Sequence, residues 1–438
     1  MSFNKLGALR FVEENDVKFV KLQFCDMFGH MKNISIPSKQ LPKAFEEGIA
    51  FDASSIDGFG VIEDSELFLF PDPTTLCILP WRPQHARVAR LFCDIKTGDG
   101  NPFLGDSRYI LRRTFERAKN MGYIFNVGAE CEFFLFKTDQ EGKPTLNPSD
   151  RATYFDSAPM DQGENTRREI CLTLEQMGFE IESSHHESAY GQHEIDFKYD
   201  NVIQSADNIL SFKSVVKTIA GRNGLYASFM PKPLSLTSGS GMHINMSLFK
   251  DGENIFNTQI GNELPLVAKY FIAGILSHIK EICAVTNPIV NSYKRLSSEF
   301  EAPKHIAWSY KNRSCLIRVP YTTKGYNRIE LRSPDSTCNP YLTLALILSA
   351  GLDGVEKKLE LMPALTQNAY TLTEEELKHY TIDLLPQTLN EALHIMQGSE
   401  FVKSILGEHL FNNYLVSKTQ EWNIYNQTIH DWEVRTYL

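Results

Sequence analysis

Four short segments, far apart along the chain, set charged, amide or imidazole side chains at every second position of otherwise apolar runs. "VGAECEFFLF" (127–136) places Glu130 and Glu132 two positions apart among Val, Ala and Phe. "SSHHESAYGQHEIDF" carries Glu187 before a glycine-containing turn, with Glu194 predicted to open the strand that follows. In "SGSGMHINMSLF", His243, Asn245 and Ser247 alternate with Ile244, Met246 and Leu248. In "NRIELRSPD", Arg328, Glu330 and Arg332 alternate with Ile329 and Leu331. A period of two is that of a β-strand, in which side chains i and i+2 share a face. Each strand therefore has one apolar and one strongly polar face, as expected where a sheet packs on helices and lines a wet cleft with its other side. Carboxylates held side by side away from water must be protonated, matched by Arg or Lys, or bound to a cation.

The rest of the pattern fits a mixed α+β chain. Strands are expected at 127–136, 192–199, 242–249 and 328–333, and helices at 164–177, 205–222, 265–283 and 339–359, with several more after 373. "VKFVKLQFCDMFG", "LFLFPD" and "ARVARLFCDI" read as strands in a β-rich N-terminal region. The Gly-, Pro- and Asp-dense "KTGDGNPFLGDSR" (96–108) reads as a linker. The amphipathic helix after it, with Ile110, Leu111, Thr114, Phe115, Ala118 and Met121 on one stripe, stops at Gly122. A small domain over 1–105 and a large one over 106–438 are the expected division.

Composition narrows the function. A formal net charge of -10 and no basic run argue against a nucleic-acid binder. No secretory leader is expected from the N-terminal residues, and no apolar run is long enough to span a bilayer. The 8 cysteines include no Cys-x-x-Cys pair, which favours reduced thiols and a cytoplasmic setting. Cys131 falls on the face opposite the two glutamates and is expected to be a small buried hydrophobe.

A single such strand reads most simply as a solvated sheet face, but four of them point to chemistry. Carboxylates with one imidazole and no thiolate suit Mg²⁺ or Mn²⁺ rather than structural zinc. His186 and His193 are set outside the metal group as ordinary satisfied histidines. Arg295, Arg313, Arg318, Arg328 and Arg332 supply forks for phosphate or carboxylate. Carboxylate-held dications faced by arginines are what phosphoryl transfer from ATP requires. No Gly-x-x-x-x-Gly-Lys-Ser/Thr loop is present, so this is not a P-loop enzyme.

"FDASSIDGF", "AECEFFLF", "SHHESAYGQHEIDFKY", "SGSGMHINMSLF", "NSYKRLSSEFEAP", "NRSCLIRVP" and "RIELRSPD" occur in the order found in glutamine synthetases. From about residue 10 to its end, the chain resembles the short prokaryotic type I form, without an adenylylation loop. The resemblance implies a β-grasp-like N-terminal domain and a catalytic domain whose curved antiparallel sheet packs on helices. It implies two or three Mg²⁺ or Mn²⁺ ions, one held by Glu132, Glu187 and Glu194 and another by Glu130, His243 and Glu330. Glu182, Asn245, Ser247 and Arg328 would bind the nucleotide, and Arg313 and Arg318 its phosphates. Arg295, Arg332, Gly239 and Ser238 would hold glutamate. Asp52 would take a proton from ammonium beside Ser55 and Tyr154, and Glu301 would close over the intermediate. The implied reaction joins ammonia to the γ-carboxylate of glutamate through an acyl phosphate. The implied assembly is two stacked hexameric rings with sites between subunits. The sequence departs from the usual family residues at Ala53, Val61, Tyr190 and Ser238. Related γ-glutamyl-amine ligases and a non-catalytic homologue are the alternatives. The second predicts decayed ligands, and all six positions are intact.

Overall fold

The computed structural model describes residues 3–59, 65–258, 263–297, 302–322 and 327–438. Val61 and Glu301 lie outside the described residues. The first sheet comprises β1 (Val17–Cys25), β2 (Met31–Pro37), β3 (Ile49–Asp52), β4 (Glu66–Pro71), β5 (Cys77–Ile78) and β6 (Arg87–Lys96). Its order is β2-β1-β6-β4-β3, with β5 on β6. Only the β1–β6 pairing is parallel. Helices α1 (Lys5–Glu14) and α2 (Leu41–Glu46), not among the expected elements, cover it. Ala8 and Val12 of α1 and Leu41 and Phe45 of α2 join Val20, Leu22, Leu69 and Leu91 in one apolar core.

The segment after β6 leads into α3 (Ser107–Asn120), capped by the Asp106 carboxylate on the Arg108 amide. Its expected stripe of Ile110, Leu111, Thr114, Phe115 and Ala118 is buried. Gly122 then turns at φ +84°, a conformation glycine adopts freely, and starts the second sheet.

That sheet is built from β7 (Ile124–Thr138), β8 (Pro144–Pro148), β9 (Ile181–His186), β10 (Gln192–Phe197), β11 (Asp200–Asn201), β12 (Leu225–Ser228), β13 (Met242–Lys250), β14 (Glu253–Asn254), β15 (Trp308–Tyr310), β16 (Ile317–Val319) and β17 (Ile329–Leu331). The order is β15-β16-β17-β13-β7-β10-β9, with β8, β11 and β12 on β7 and β14 on β13. Every pairing but β15–β16 is antiparallel. Two expected strands are shorter than the alternation suggests, ending at Phe197 and spanning only Ile329–Leu331. Glu194 is the third residue of β10, not its first. The ladder begins at Gln192 because the Glu187 amide donates to the Gln192 carbonyl and closes the hairpin there.

Helices α4 (Glu164–Gln176), α5 (Val202–Arg222), α6 (Leu266–Thr286), α7 (Val290–Leu296) and α8 (Pro340–Lys357) precede five more: α9 (Glu374–His379), α10 (Leu389–Gln397), α11 (Glu400–Leu406), α12 (Glu408–Gln427) and α13 (Asp431–Tyr437). The apolar sheet face, including Phe125, Cys131, Phe133, Ile244 and Leu331, shares its core with α5, α6 and α8. Burying one face against helices leaves the polar face free for a site.

The two sheets are tied by a buried ionic web. The Arg108 guanidinium donates to Asp72 (2.9 Å) and Asp94 (2.7 Å) from the first sheet's side and to Asp207 of α5 (2.9 Å). Tyr341 of α8 donates to the same Asp207 at 2.6 Å. No described helix is long and apolar enough to cross a membrane. All eight cysteines are free, and Cys131 is fully buried.

Candidate active site

The long strand β7 puts Glu130 and Glu132 on its polar face, and the strands beside it decide their company. On one side, β13 sets His243 opposite Glu130, and β17 sets Glu330 opposite Asn245. On the other, β10 sets Glu194 opposite Glu132, and β9 sets His185 opposite Glu194. The two glutamates thus look to different neighbours although they share a face.

The first group is Glu130, His243 and Glu330, with one ligand atom of each within 4.8 Å of the others. His243 Nδ1 is 3.2 Å from Glu130 and 3.7 Å from Glu330. The Asn245 amide donates to the other Glu130 oxygen at 2.8 Å. Burial opposes ionisation of Glu130, but the His243 ring and the Asn245 amide hold it down at about 2. Glu330 is fully buried between two guanidiniums, Arg318 at 2.5 Å and Arg332 at 2.6 Å.

The second group is His185, Glu187 and Glu194. His185 Nε2 is 3.0 Å from Glu187 and 3.9 Å from Glu194. Burial, and then the charge of Glu132, push Glu194 well above the usual carboxylate range. Glu132 is itself raised by burial and by Glu187, against the pull of His243. The carboxylates Glu132, Glu187 and Glu194 are therefore crowded despite His185 and Arg295 beside them, an arrangement that a divalent ion relieves. His185 is absent from the sequence-derived ligand set, and Glu132 stands beside this group rather than within it. The i, i+2 relation of His185 to Glu187 is the signal that could have found it.

A third trio, Asp150, His186 and His193, is fully buried. Except for His193 Nε2, which has no hydrogen-bond partner among the described residues, its side-chain polar atoms are engaged by the protein. Asp150 accepts from His186 Nε2 (2.9 Å) and from the Gly191 (3.1 Å) and Gln162 (3.2 Å) amides. His186 Nδ1 donates to the Glu187 carbonyl (2.6 Å), and Arg167 lies 2.9 Å from His193 Nδ1. A guanidinium at that distance disfavours a cation, and the trio braces the backbone of Glu187 instead.

Two cavities flank the carboxylates. One, of 330 Å³, is lined by Glu182, Asn245, Ser247 and Arg328 together with Glu130. Arg328 Nε donates to the Asn245 side-chain oxygen at 2.9 Å. The other, of 20 Å³, gathers Ser238, Gly239, Arg295 and Arg332 around Glu132, Glu187 and His243. Arg295 is held by the carbonyls of Ser333 (2.8 Å) and Arg332 (3.0 Å). Gly239 and Gly241 have no room for a side chain: a Cβ would stand 2.3 Å from the Pro231 carbonyl in one case and 2.4 Å from the Arg295 guanidinium in the other.

Other expected residues lie apart. Arg313 is exposed between β15 and β16. Tyr154 is half-exposed, stacked on Phe155, with its ring edge-on to His185. Asp52 ends β3 of the first sheet and Ser55 lies in the turn after it; both are exposed and line neither cavity. The Asp52 carboxylate accepts from the Ser54 amide, and its bonds to Ser54 and Ser65 keep it below the usual carboxylate range.

Two family models match: the glutamine synthetase β-grasp domain over residues 16–98 and the glutamine synthetase catalytic domain over residues 104–437. The chain is 53% identical over 437 residues to the glutamine synthetase of Clostridium saccharobutylicum, covering 100% of this chain and 99% of that one. It is 51% identical over 435 residues to that of Methanosarcina mazei, covering 99% and 97%. Among solved structures it resembles a GmaS–ADP complex (30% identity, TM-score 0.89, 98% of each chain). It also resembles Plasmodium falciparum glutamine synthetase (26% identity, TM-score 0.88, 100% and 99%).

Proposed function

The chain belongs to the glutamine synthetase family, and from that premise we propose that it joins ammonia to the γ-carboxylate of L-glutamate in an ATP-dependent ligation. The products are L-glutamine, ADP and phosphate, formed through γ-glutamyl phosphate. The observation that carries this reading is the juxtaposition of two acidic and imidazole groups between a polar cleft and an arginine-lined cavity.

The donor set fits hard divalent ions. Glu130, His243 and Glu330 would hold one Mg²⁺ or Mn²⁺ ion and Glu132, Glu187 and Glu194 another, which when bound neutralise charge on the phosphate oxygens. Glu182, Asn245, Ser247 and Arg328 orient the nucleotide, while Arg313 and Arg318 stabilise charge on the transferring phosphoryl group. Arg295, Arg332, Ser238 and the Gly239 backbone bind glutamate, the two guanidiniums meeting its carboxylates. Ammonium is not nucleophilic, so Asp52, ionised across the working pH range, removes its proton beside Ser55 and Tyr154. Glu301 closes the site so that water does not hydrolyse the acyl phosphate.

Residues 1–105 and 106–438 act as the N-terminal and catalytic domains. The position of Asp52, on the first sheet and outside both cavities, supports sites shared between subunits, in two stacked hexameric rings. Eight free thiols support a cytoplasmic setting.

The test is ADP and glutamine formation with glutamate plus ammonium against glutamate plus putrescine, in wild type and Asp52→Ala. Ammonium-dependent turnover that falls by roughly 10²–10⁴-fold in Asp52→Ala is expected. Turnover on the diamine alone overturns the proposal.

A further inference from the structure

Gln192, the first residue of β10, is 1% exposed and was not among the site residues expected from sequence. Its Nε2 donates twice, to Glu132 Oε2 and to the Gly239 carbonyl, each at 3.0 Å. Its Oε1 accepts from the Ala189 amide at 3.2 Å, which fixes which end of the side-chain amide faces the site. Glu132 Oε2 receives a second N–H, from Gly241, at 2.9 Å. Both donors reach the same oxygen. Oε1 is thereby left to face His243 Nε2, 4.0 Å away, and the cavity.

One amide therefore clamps two unlike things: a carboxylate of the cation site and the backbone of the Ser238–Gly241 loop. That loop has no slack. The Ser240 amide is bound to the Pro231 carbonyl, and a Cβ at Gly239 would strike that same carbonyl. A shift of Glu132 toward a cation pulls on Gln192 and hence on the Gly239 carbonyl, and a ligand ordering the loop acts in reverse. Sites joined by a shared rigid element influence each other's affinity reciprocally.

Resting on the functional reading above, we propose that Gln192 is a positioning residue that locks Glu132 and the Gly239 loop into one geometry, so that divalent-cation binding and glutamate binding are energetically coupled through it. Gln192 also lines the cavity that gathers Ser238, Gly239, Arg295 and Arg332, but in this role it acts through its two acceptors.

The experiment is glutamate binding to the full-length protein by calorimetry, with and without saturating Mn²⁺, in wild type, Gln192→Met and Gln192→Glu. Methionine keeps the length and removes both donors. Glutamate keeps the shape and sets a second carboxylate against Glu132. In wild type, Mn²⁺ should tighten glutamate binding by roughly tenfold. That factor should fall towards one in both variants, with the KM for glutamate raised and the KM for ATP unchanged. Melting temperature and oligomer size identify a variant that has not folded, and the other then carries the test. An undiminished Mn²⁺ factor in a folded variant overturns the proposal. Wild type that binds no glutamate under either condition overturns the functional reading beneath it.

Discussion

Glu330 shows how much the site asks of single side chains. It is fully buried and answers two guanidiniums, so Glu330→Gln leaves Arg318 and Arg332 facing each other with one charge too few. Breaking a buried pair of this kind costs about 3–5 kcal/mol. Chemical denaturation of the metal-free variant should show that loss, and added Mn²⁺ should raise its melting temperature less than that of wild type, since the group around Glu194 is left intact. Asp106 supplies a pH test away from the site. Burial, and then the charge of Asp94, raise it from 3.8 to about 7 despite the amides of Ile95 and Arg108. The folded chain therefore binds a proton that the unfolded chain has released. The resulting stability is full below the unfolded pKa and is lost as pH rises through about 7. Asp106→Asn should flatten the fall in melting temperature between about pH 4 and pH 7 relative to wild type. The buried trio around Asp150 marks the limit of reading residues singly. His185, His186 and His193 look alike in the sequence, and their surroundings give them different work.

Among the elements, the expected helices and strands were recovered with small shifts at their ends, because a long amphipathic stripe or strict alternation commits a segment to one period. The short helices α1, α2 and α7 have too few turns for such a stripe and were not expected from the pattern. Tertiary contact also sets demands that no periodicity carries. Where α6 crosses α8, a Cβ on Gly354 would lie 2.1 Å from the Tyr270 carbonyl, and one on Gly274 would lie 2.2 Å from that of Ala350. These are backbone clashes that no rotamer relieves. Gly354→Ala, although alanine is the better helix former, should destabilise the protein by about 1–3 kcal/mol, measured by urea unfolding. A neutral result would mean that the two helices can separate at little cost.

At the scale of the whole molecule, Asp52 belongs to one sheet and the carboxylate groups to the other. If sites form between subunits, Asp52→Ala and Glu132→Gln chains, each inactive alone, should regain activity when assembled together. Random mixing in equal amounts makes roughly one quarter of the sites intact, and assays of co-expressed chains check this. Two inactive chains that stay inactive together would place Asp52 and the cation site in one subunit. By itself, the sequence determined the mixed α+β character, the polar and apolar faces of four strands and the acidic, imidazole and arginine positions along them, because period and residue type are local properties. The tertiary structure alone decided that Glu130 turns to β13 and Glu132 to β10, that His185 joins Glu187 and Glu194, and that Gln192 grips two parts of the site at once. Strand order and register bring together residues that are distant along the chain, and nothing in a local period encodes which strand will lie beside which.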